Sequence, residues 1–181
     1  ADHLAQAKAN EIELIDLVVV NLYPFEETVA KPGVHFEEAI ENIDIGGPSM
    51  VRSAAKNHRF VAIVTDPADY AVVLDEMAQH NGCVTEATKR RLAGKAFALT
   101  ARYDALIAEW MQKDLATAGL AESKWPASYA LAGRKVSELR YGENPHQTAA
   151  LYVLGGRNEP SIASAEVLGG KQLSYNNLVD L

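Results

Sequence analysis

The stretch Asp16-Leu-Val-Val-Val-Asn-Leu-Tyr-Pro-Phe25 decides the fold class. It places Leu17-Val-Val-Val20, an apolar and mostly β-branched run, between polar neighbours. A run that is apolar on both faces is typical of a central strand in a parallel sheet, not of an edge strand. Pro24 cannot donate to a sheet and is expected to end the strand.

A second buried strand is expected at Phe60-Val-Ala-Ile-Val-Thr65, and helical patterns surround it. Asp66 and Pro67 form a helix-start signal after this strand, because aspartate caps and proline fits the first helical position. The segments predicted to be helical are 1–10, 36–43, 48–57, the stretch after 66, and 85–117, the last as one helix or as two near Gly94. Alternating strands and helices predict an open α/β sheet with right-handed crossovers and flanking helices.

The pattern changes after about residue 123. Trp125, Pro126 and Gly133 mark a connection, and short strand-like pieces follow at 149–154 and 162–167. This part has too little apolar area to fold alone. We therefore expect one domain over 1–133 and the opening of a second domain over 134–181.

Composition and charge limit the partners. Seventeen Lys and Arg against twenty-four Asp and Glu give a formal net charge of −7, which disfavours nucleic acid but allows a small phosphorylated metabolite in a local basic pocket. No apolar run approaches the roughly 20 residues that cross a bilayer, so no membrane association is expected. One cysteine, Cys83, indicates a reducing compartment, and a cytoplasmic location is expected. The five histidines lack metal-ligand spacing, and no metal is expected.

Polar residues follow the first strand and open the next long helix. Asn21 and Tyr23 come directly after the strand, at the edge where open α/β sheets bind ligands. In Asp44-Ile-Gly-Gly-Pro-Ser49, glycines permit close backbone approach, and a helix expected to begin at Pro48 would direct free N–H groups to the same place. A polar strand exit and a tight turn before a capped helix remain the alternatives at these two positions.

Two basic residues share a face of that helix. Arg52 and Lys56 are spaced i, i+4, and Lys56 is expected across a cleft from Asp44, where each would keep the other charged. A solvated basic stripe is the alternative. His58, at the end of the helix, is interpreted as a C-terminal cap.

A third polar block lies far downstream. Leu139-Arg-Tyr-Gly-Glu-Asn-Pro-His-Gln147 combines a cation, a phenol and an imidazole with Gly142 and Pro145, which favour a shaped loop. Functional residues concentrate on such loops, although a polar linker turn would have a similar composition.

These blocks, with Glu41–His58, KAFALTARYDALIAEW and LSYNNLVDL, resemble in order and spacing the bifunctional purine-biosynthesis enzymes that combine AICAR transformylase and IMP cyclohydrolase. The resemblance implies a methylglyoxal-synthase-like domain, incomplete at its N-terminus, followed by the beginning of a cytidine-deaminase-like α/β domain. It also implies formyl transfer from 10-formyltetrahydrofolate, a co-substrate, to AICAR and closure of FAICAR to IMP with loss of water, in a homodimer. The family's first strand-loop unit, its Arg-x-Lys-Thr segment and its transformylase catalytic core have no match here.

Site residues are carried over by matching motifs. The resemblance implies a cyclohydrolase site in which Tyr23, Asp44 and Lys56 are catalytic and four residues bind substrate: Asn21, Ile45, Gly46 and Gly47. It implies that His146 is catalytic in the transformylase site and that Arg140, Tyr141 and Asn177 bind AICAR there. Two alternatives stay open: a non-catalytic module that senses a nucleotide, and a dimerisation piece built on the helix around Leu92 to Met111.

Overall fold

The computed structural model describes residues 2–154 and 161–181. In chain order the elements are α1 (Asp2–Ala9), β1 (Leu17–Val19), α2 (Phe25–Val29), α3 (Phe36–Glu41), α4 (Gly46–Lys56), β2 (Ala62–Val64), α5 (Tyr70–Gln79), α6 (Glu86–Thr117), β3 (Gly133–Leu139), β4 (Ala149–Leu154) and α7 (Tyr175–Val179). The described residues form two compact units: Ala1–Tyr23 with Ile43–Ala101, and Pro24–Asn42 with Arg102–Leu181.

The first unit contains a parallel sheet between helices, which confirms the predicted α/β class. Strand β1 pairs with β2 in parallel, with Val18 opposite Ile63. The core lies where β2 meets α4 and the first half of α6: Ile63, Val51 and Ala96 are all fully buried. Packing of these small and branched side chains fixes α4 against the sheet.

Strand β1 differs from the prediction in its position. Within the described residues the sheet has two strands, so β1 is an edge strand and not a central one. Val18 packs on the core, whereas Leu17 and Val19 remain 38% and 52% exposed. Side chains alternate between the two faces of a strand, and here one face has no covering layer.

Helix α4 begins two residues earlier than predicted, at Gly46 instead of Pro48. Pro48 is therefore the third helical residue. Proline is tolerated there because the first four N–H groups of a helix have no intrahelical partner. The two glycines consequently lie inside the first turn and do not break the chain before it.

The other helices of the first unit follow their sequence signals. The Asp66 side chain accepts from the Ala68 N–H at 2.9 Å, with Pro67 at the first position of a 3₁₀ turn that leads into α5. Helix α5 buries a narrow face: Val73 is buried, but Leu74 is 64% exposed. Helix α6 is one continuous helix, so Gly94 does not divide it.

The second unit is organised around an aromatic cluster and a hairpin. Phe25 is 1% exposed and makes edge-to-face contacts with Tyr103 and Trp110, at centroid distances of 6.2 and 5.8 Å. Strands β3 and β4 pair antiparallel. The prediction of β4 is confirmed, whereas β3 was missed because Gly133–Leu139 is mostly polar and exposed. The strand predicted over 162–167 is wrong: Ile162–Ser164 forms a 3₁₀ turn, which the capping residue Ser161 favours.

Candidate functional site

The carboxylate of Asp44 joins the chain after β1 to the start of α4. Its Oδ2 accepts from the backbone N–H of Tyr23 at 3.2 Å, and its Oδ1 accepts from the N–H of Gly47 at 2.7 Å. Residues after β1 and β2 lie at the same edge of the sheet, because the strands are parallel. A negatively charged group is therefore held at a helix N-terminus, beside the carboxyl edge where α/β sheets bind ligands.

The two glycines of this site have different reasons to be glycine. A Cβ on Gly47 would lie 2.8 Å from Cγ of Asp44, far inside the normal contact distance, so a larger residue there would displace the carboxylate. A Cβ on Gly46 would meet open space. Gly47 thus serves the close approach of Asp44, whereas Gly46 leaves one side of the first turn open.

The remaining predicted residues near this edge are exposed. Asn21 Oδ1 accepts from the N–H of Leu22 at 2.9 Å. The Tyr23 side chain is 57% exposed and Ile45 is 76% exposed. The carboxylate of Asp44 thus brings Tyr23 next to Gly47, and Ile45 and Gly46 lie between Asp44 and Gly47 in the chain. Five of the seven predicted residues therefore lie near one another.

Lys56 is placed at the other end of the helix. It is the last residue of α4, ten residues beyond Gly46, so its backbone lies about 15 Å further along the helix axis. Lys56 is exposed, and Arg52 on the same stripe lies over the Phe97 ring at 5.7 Å. A ring nitrogen of His58 lies 3.1 Å from the carbonyl of Ala55, which confirms the interpretation of His58 as a cap. The shared cleft of Lys56 and Asp44 stays a prediction.

A groove of about 920 Å³ is lined in part by one face of α4. Its wall contains Leu14, Ile15 and Val18 from the first segment and Met50 and Ser53 from α4. Tyr23, Asp44 and Lys56 do not line it. The groove is therefore separate from the carboxylate contacts that the sequence motifs predict.

Sequence reasoning missed an ion cluster beside the carboxyl end of β2. Lys95 Nζ lies 3.0 Å from an oxygen of Asp66 and 2.5 Å from one of Asp69, and Arg91 Nη1 lies 2.8 Å from the other oxygen of Asp69. Burial of Asp69 opposes its ionisation, but the hydrogen bonds from Lys95 and Arg91 prevail and lower its pKa. The hydrogen bond to Asp69 raises the pKa of Lys95. The i, i+4 spacing of Arg91 and Lys95 places both cations on one helix face. It does not identify their carboxylate partners, because Asp66 and Asp69 lie in a different element.

In the second unit, residues 140–147 form the shaped loop that the sequence predicted. The N–H of Gly142 donates to the Gln147 carbonyl at 2.9 Å, and Gln147 Oε1 accepts from the N–H of Asn144 at 2.9 Å. A Cβ on Gly142 would lie 2.9 Å from that of Gln147, so this turn requires glycine. His146, at the tip of the loop, is exposed.

Arg140 and Tyr141 lie together at the base of this loop. The Arg140 guanidinium carbon lies 4.9 Å from the centroid of the Tyr141 ring, and Nη2 donates to the phenol oxygen at 3.4 Å. The Ser174 hydroxyl and the Arg140 guanidinium lower the pKa of the Tyr141 phenol. Backbone hydrogen bonds join this pair to the segment before α7: Arg140 N to Leu173 O at 2.8 Å, and Tyr175 N to Tyr141 O at 3.0 Å. Two motifs that begin 34 positions apart, LRYGENPHQ at Leu139 and LSYNNLVDL at Leu173, are thereby brought side by side.

Within the described ranges, no group of three or more His, Cys, Asp or Glu side chains could hold a metal ion. Among the helices of residues 2–154 and 161–181, none is both long enough and apolar enough to span a membrane.

The parallel sheet and the helix that follows it are those of an MGS-like domain. The family model of that domain matches residues 1–49. The model described as the AICARFT/IMPCHase bienzyme matches residues 54–181. The chain belongs to this bienzyme family.

Individual relatives and one solved structure are also similar to this chain. The chain is 54% identical over 182 residues to the bifunctional purine biosynthesis protein PurH of Chlorobium phaeobacteroides, an alignment that covers 99% of this chain and 34% of the relative. It is 57% identical over 178 residues to PurH of Streptococcus pneumoniae serotype 19F, covering 98% of this chain and 33% of the relative. A crystal structure of ForH matches with a TM-score of 0.50 and 36% identity over 60% of this chain and 56% of that one. The chain spans about a third of the length of the curated relatives that it matches.

Proposed function

We propose that this chain supplies parts of two sites for the last two steps of purine biosynthesis. One site closes FAICAR to IMP with loss of water, and the other takes AICAR for formyl transfer from 10-formyltetrahydrofolate. Family membership supports the pathway, since the PurH relatives are named as bifunctional purine biosynthesis proteins. We also propose that residues 134–181 open the domain that carries the formyl transfer, that the protein acts as a homodimer, and that it works in the cytoplasm.

The observation that carries the cyclohydrolase proposal is the position of Asp44. In ring closure the carboxamide nitrogen attacks the formyl carbon, its oxygen gathers charge, and water then leaves. Asp44 lies at the start of α4, bonded to the residue that follows β1. We assign Asp44 to proton transfer and the exposed phenol of Tyr23 to orienting or donating to the substrate.

Lys56 is proposed to stabilise the charge that develops on the oxygen. Its ammonium has no ion-pair partner among the salt bridges of the described residues. The N–H of Gly47 is already bonded to Asp44, so Gly46 and Asn21 are the better candidates for binding substrate at this edge. In the second unit, Arg140, Tyr141 and Asn177 are proposed to bind AICAR and His146 to act in formyl transfer.

Two measurements test this proposal. Nucleotide binding to the chain is followed by shifts of backbone amide resonances, and IMP formation from FAICAR by the intact enzyme is followed by chromatography. We expect shifts at Asn21, Tyr23 and Gly46 with IMP, and in the intact enzyme a loss of turnover in Lys56→Ala that exceeds any loss of stability. Normal turnover in Lys56→Ala would refute its role.

The alternatives predict other outcomes. A nucleotide-sensing module binds IMP at the same residues but forms none from FAICAR. A dimerisation piece shifts no site resonance with either nucleotide and changes only its sedimentation with concentration.

A further inference from the structure

Ser174 is a fully buried hydroxyl that neither proposed reaction uses. It is 0% exposed, although the residues around it are mostly exposed. Its neighbours Leu173 and Tyr175 bond to the backbone of Arg140 and Tyr141. The hydroxyl therefore lies where the two motifs that carry the proposed AICAR-binding residues meet.

The contacts of Ser174 determine how Asn177 is oriented. Asn177 Oδ1 accepts from the Ser174 N–H at 3.0 Å and from the Ser174 hydroxyl at 2.9 Å. A carboxamide oxygen has two lone pairs, so both are filled by Ser174. The NH2 group must then point away from Ser174. Asn177 is exposed, and within the described residues no acceptor receives a hydrogen bond from its NH2 group.

The same hydroxyl also reaches Tyr141. It interacts with the phenol and, together with Arg140, lowers the pKa of that group. A hydroxyl carries one proton, so while Ser174 donates to Asn177 it does not also donate to Tyr141. The contact that orients a side chain of the proposed AICAR site is the one to Asn177, at 2.9 Å.

We propose that Ser174 is a positioning residue that locks the Asn177 carboxamide with its NH2 group toward the nucleotide. The ligand group opposite Asn177 must therefore be a hydrogen-bond acceptor, such as a phosphate or carboxamide oxygen. The Arg140 guanidinium, which lies over the Tyr141 ring, adds further N–H donors and a positive charge to the proposed site. This inference rests on the proposed AICAR site. It adds the residue that orients Asn177, which is Ser174, and the kind of ligand group that Asn177 selects, which is a hydrogen-bond acceptor.

The test uses the whole chain, labelled with ¹⁵N and titrated with AICAR. In the unchanged chain we expect saturable shifts of the Asn177 side-chain NH2 pair. Ser174→Ala keeps the N–H contact but removes the hydroxyl, so the Asn177 oxygen loses one of its two donors and the orientation of the amide is held less firmly. A single hydrogen bond of this kind corresponds to an affinity about two- to tenfold weaker.

The matched control is Ser161→Ala. Ser161 precedes a 3₁₀ turn in the same unit, is exposed, and contacts the hydroxyl of Ser164, so its loss removes a serine hydroxyl from outside the two motifs. Its AICAR affinity should equal that of the unchanged chain. A second variant, Asn177→Asp, keeps an acceptor toward Ser174 but replaces the NH2 donor, so it should fold and bind AICAR more than about tenfold more weakly.

The outcomes distinguish failure of the proposed AICAR site from failure of the role of Ser174. If AICAR shifts no resonance of the unchanged chain, both the proposed site and this inference are overturned. If AICAR binds the unchanged chain and Ser174→Ala equally, and the spectrum of Ser174→Ala is otherwise native, only the inference is overturned. If Ser174→Ala does not fold, Asn177→Asp decides: unchanged affinity overturns the inference, and lost affinity in a folded chain supports it.

Discussion

Replacing Gly47 by alanine should destabilise the first unit, whereas the same change at Gly46 should not. Both residues lie in the first turn of α4, and alanine is favoured over glycine in a helix by up to about 1 kcal/mol. At Gly46 the new methyl group meets open space. At Gly47 it would lie 2.8 Å from Cγ and 2.9 Å from Oδ1 of Asp44, so the carboxylate must move.

The magnitude follows from what that movement breaks. Asp44 would lose its bonds to the N–H groups of Gly47 and Tyr23. Hydrogen bonds to a charged group contribute about 1.5–3 kcal/mol each, and we take the lower end because the Tyr23 bond is exposed. After the helix gain of about 1 kcal/mol, Gly47→Ala should cost about 2 kcal/mol. Gly46→Ala should be neutral or stabilising by up to about 1 kcal/mol.

Urea unfolding followed by far-UV circular dichroism measures both variants. Tryptophan fluorescence is the wrong probe, because both tryptophans, Trp110 and Trp125, belong to the second unit. Hydrogen exchange of the α4 amides assigns any loss to the first unit. In an Asp44→Ala background the cost of Gly47→Ala should disappear, since the colliding group is gone. Equal stability of the two glycine variants, or an unchanged cost without the carboxylate, would refute the reasoning.

Further predictions concern the ion cluster, the aromatic cluster and the start of α6. Burial of Asp69 raises its pKa, but hydrogen bonds from cationic partners outweigh this effect and hold the pKa below its ordinary 3.8. The ionised Asp69 side chain therefore stabilises the fold above pH 3.8, and this stabilisation is lost as the pH falls below that value. Asp69→Asn should therefore flatten the acid end of a melting-temperature profile, and a profile as steep as that of the unchanged chain would contradict this. Phe25→Ala should cost about 3–5 kcal/mol and red-shift the emission of Trp110, measured in a Trp125→Phe chain; an unshifted spectrum would contradict the cluster. Glu76 accepts from the N–H and hydroxyl of Thr85 and from the hydroxyl of Thr88. Glu76→Gln turns an NH2 group toward one of these donors and should therefore lower the melting temperature. An unchanged melting temperature would show that these contacts do not stabilise the fold.

Local signals predicted the helices better than the strands. The Asp66-Pro67 start and the long period of α6 depend on residues close in sequence, so they could be predicted directly. Strand β1 was recognised, but its place at a sheet edge depends on which partners pair with it. Strand β3 was missed because pairing with β4, and not an apolar pattern, makes it a strand.

The candidate sites show the same limit. The sequence indicated Asp44 and Gly47 as neighbours of one turn, but not that the carboxylate would bond to Tyr23 across 21 residues. It placed Lys56 on the correct helix. The separation of Lys56 from Gly46 along α4 became known only when the structure defined where the helix begins and ends. The Asp69 cluster combines side chains more than 20 residues apart, a separation that no local motif reports.

Several motif residues in this chain contact one another. Asp44 requires Gly47, Ser174 holds Asn177, and Gln147 closes the loop that begins at Gly142. A substitution at any of them changes local structure together with chemistry, so a loss of activity alone cannot assign a role. Pairs that differ in one contact separate the two effects. Gly46 and Gly47 share a helical turn but differ in the Asp44 contact, and Ser161 and Ser174 share a capping geometry but differ in what they orient. For a chain that spans a third of its relatives, such pairs allow roles to be assigned through stability and binding, without depending on turnover by the whole bienzyme.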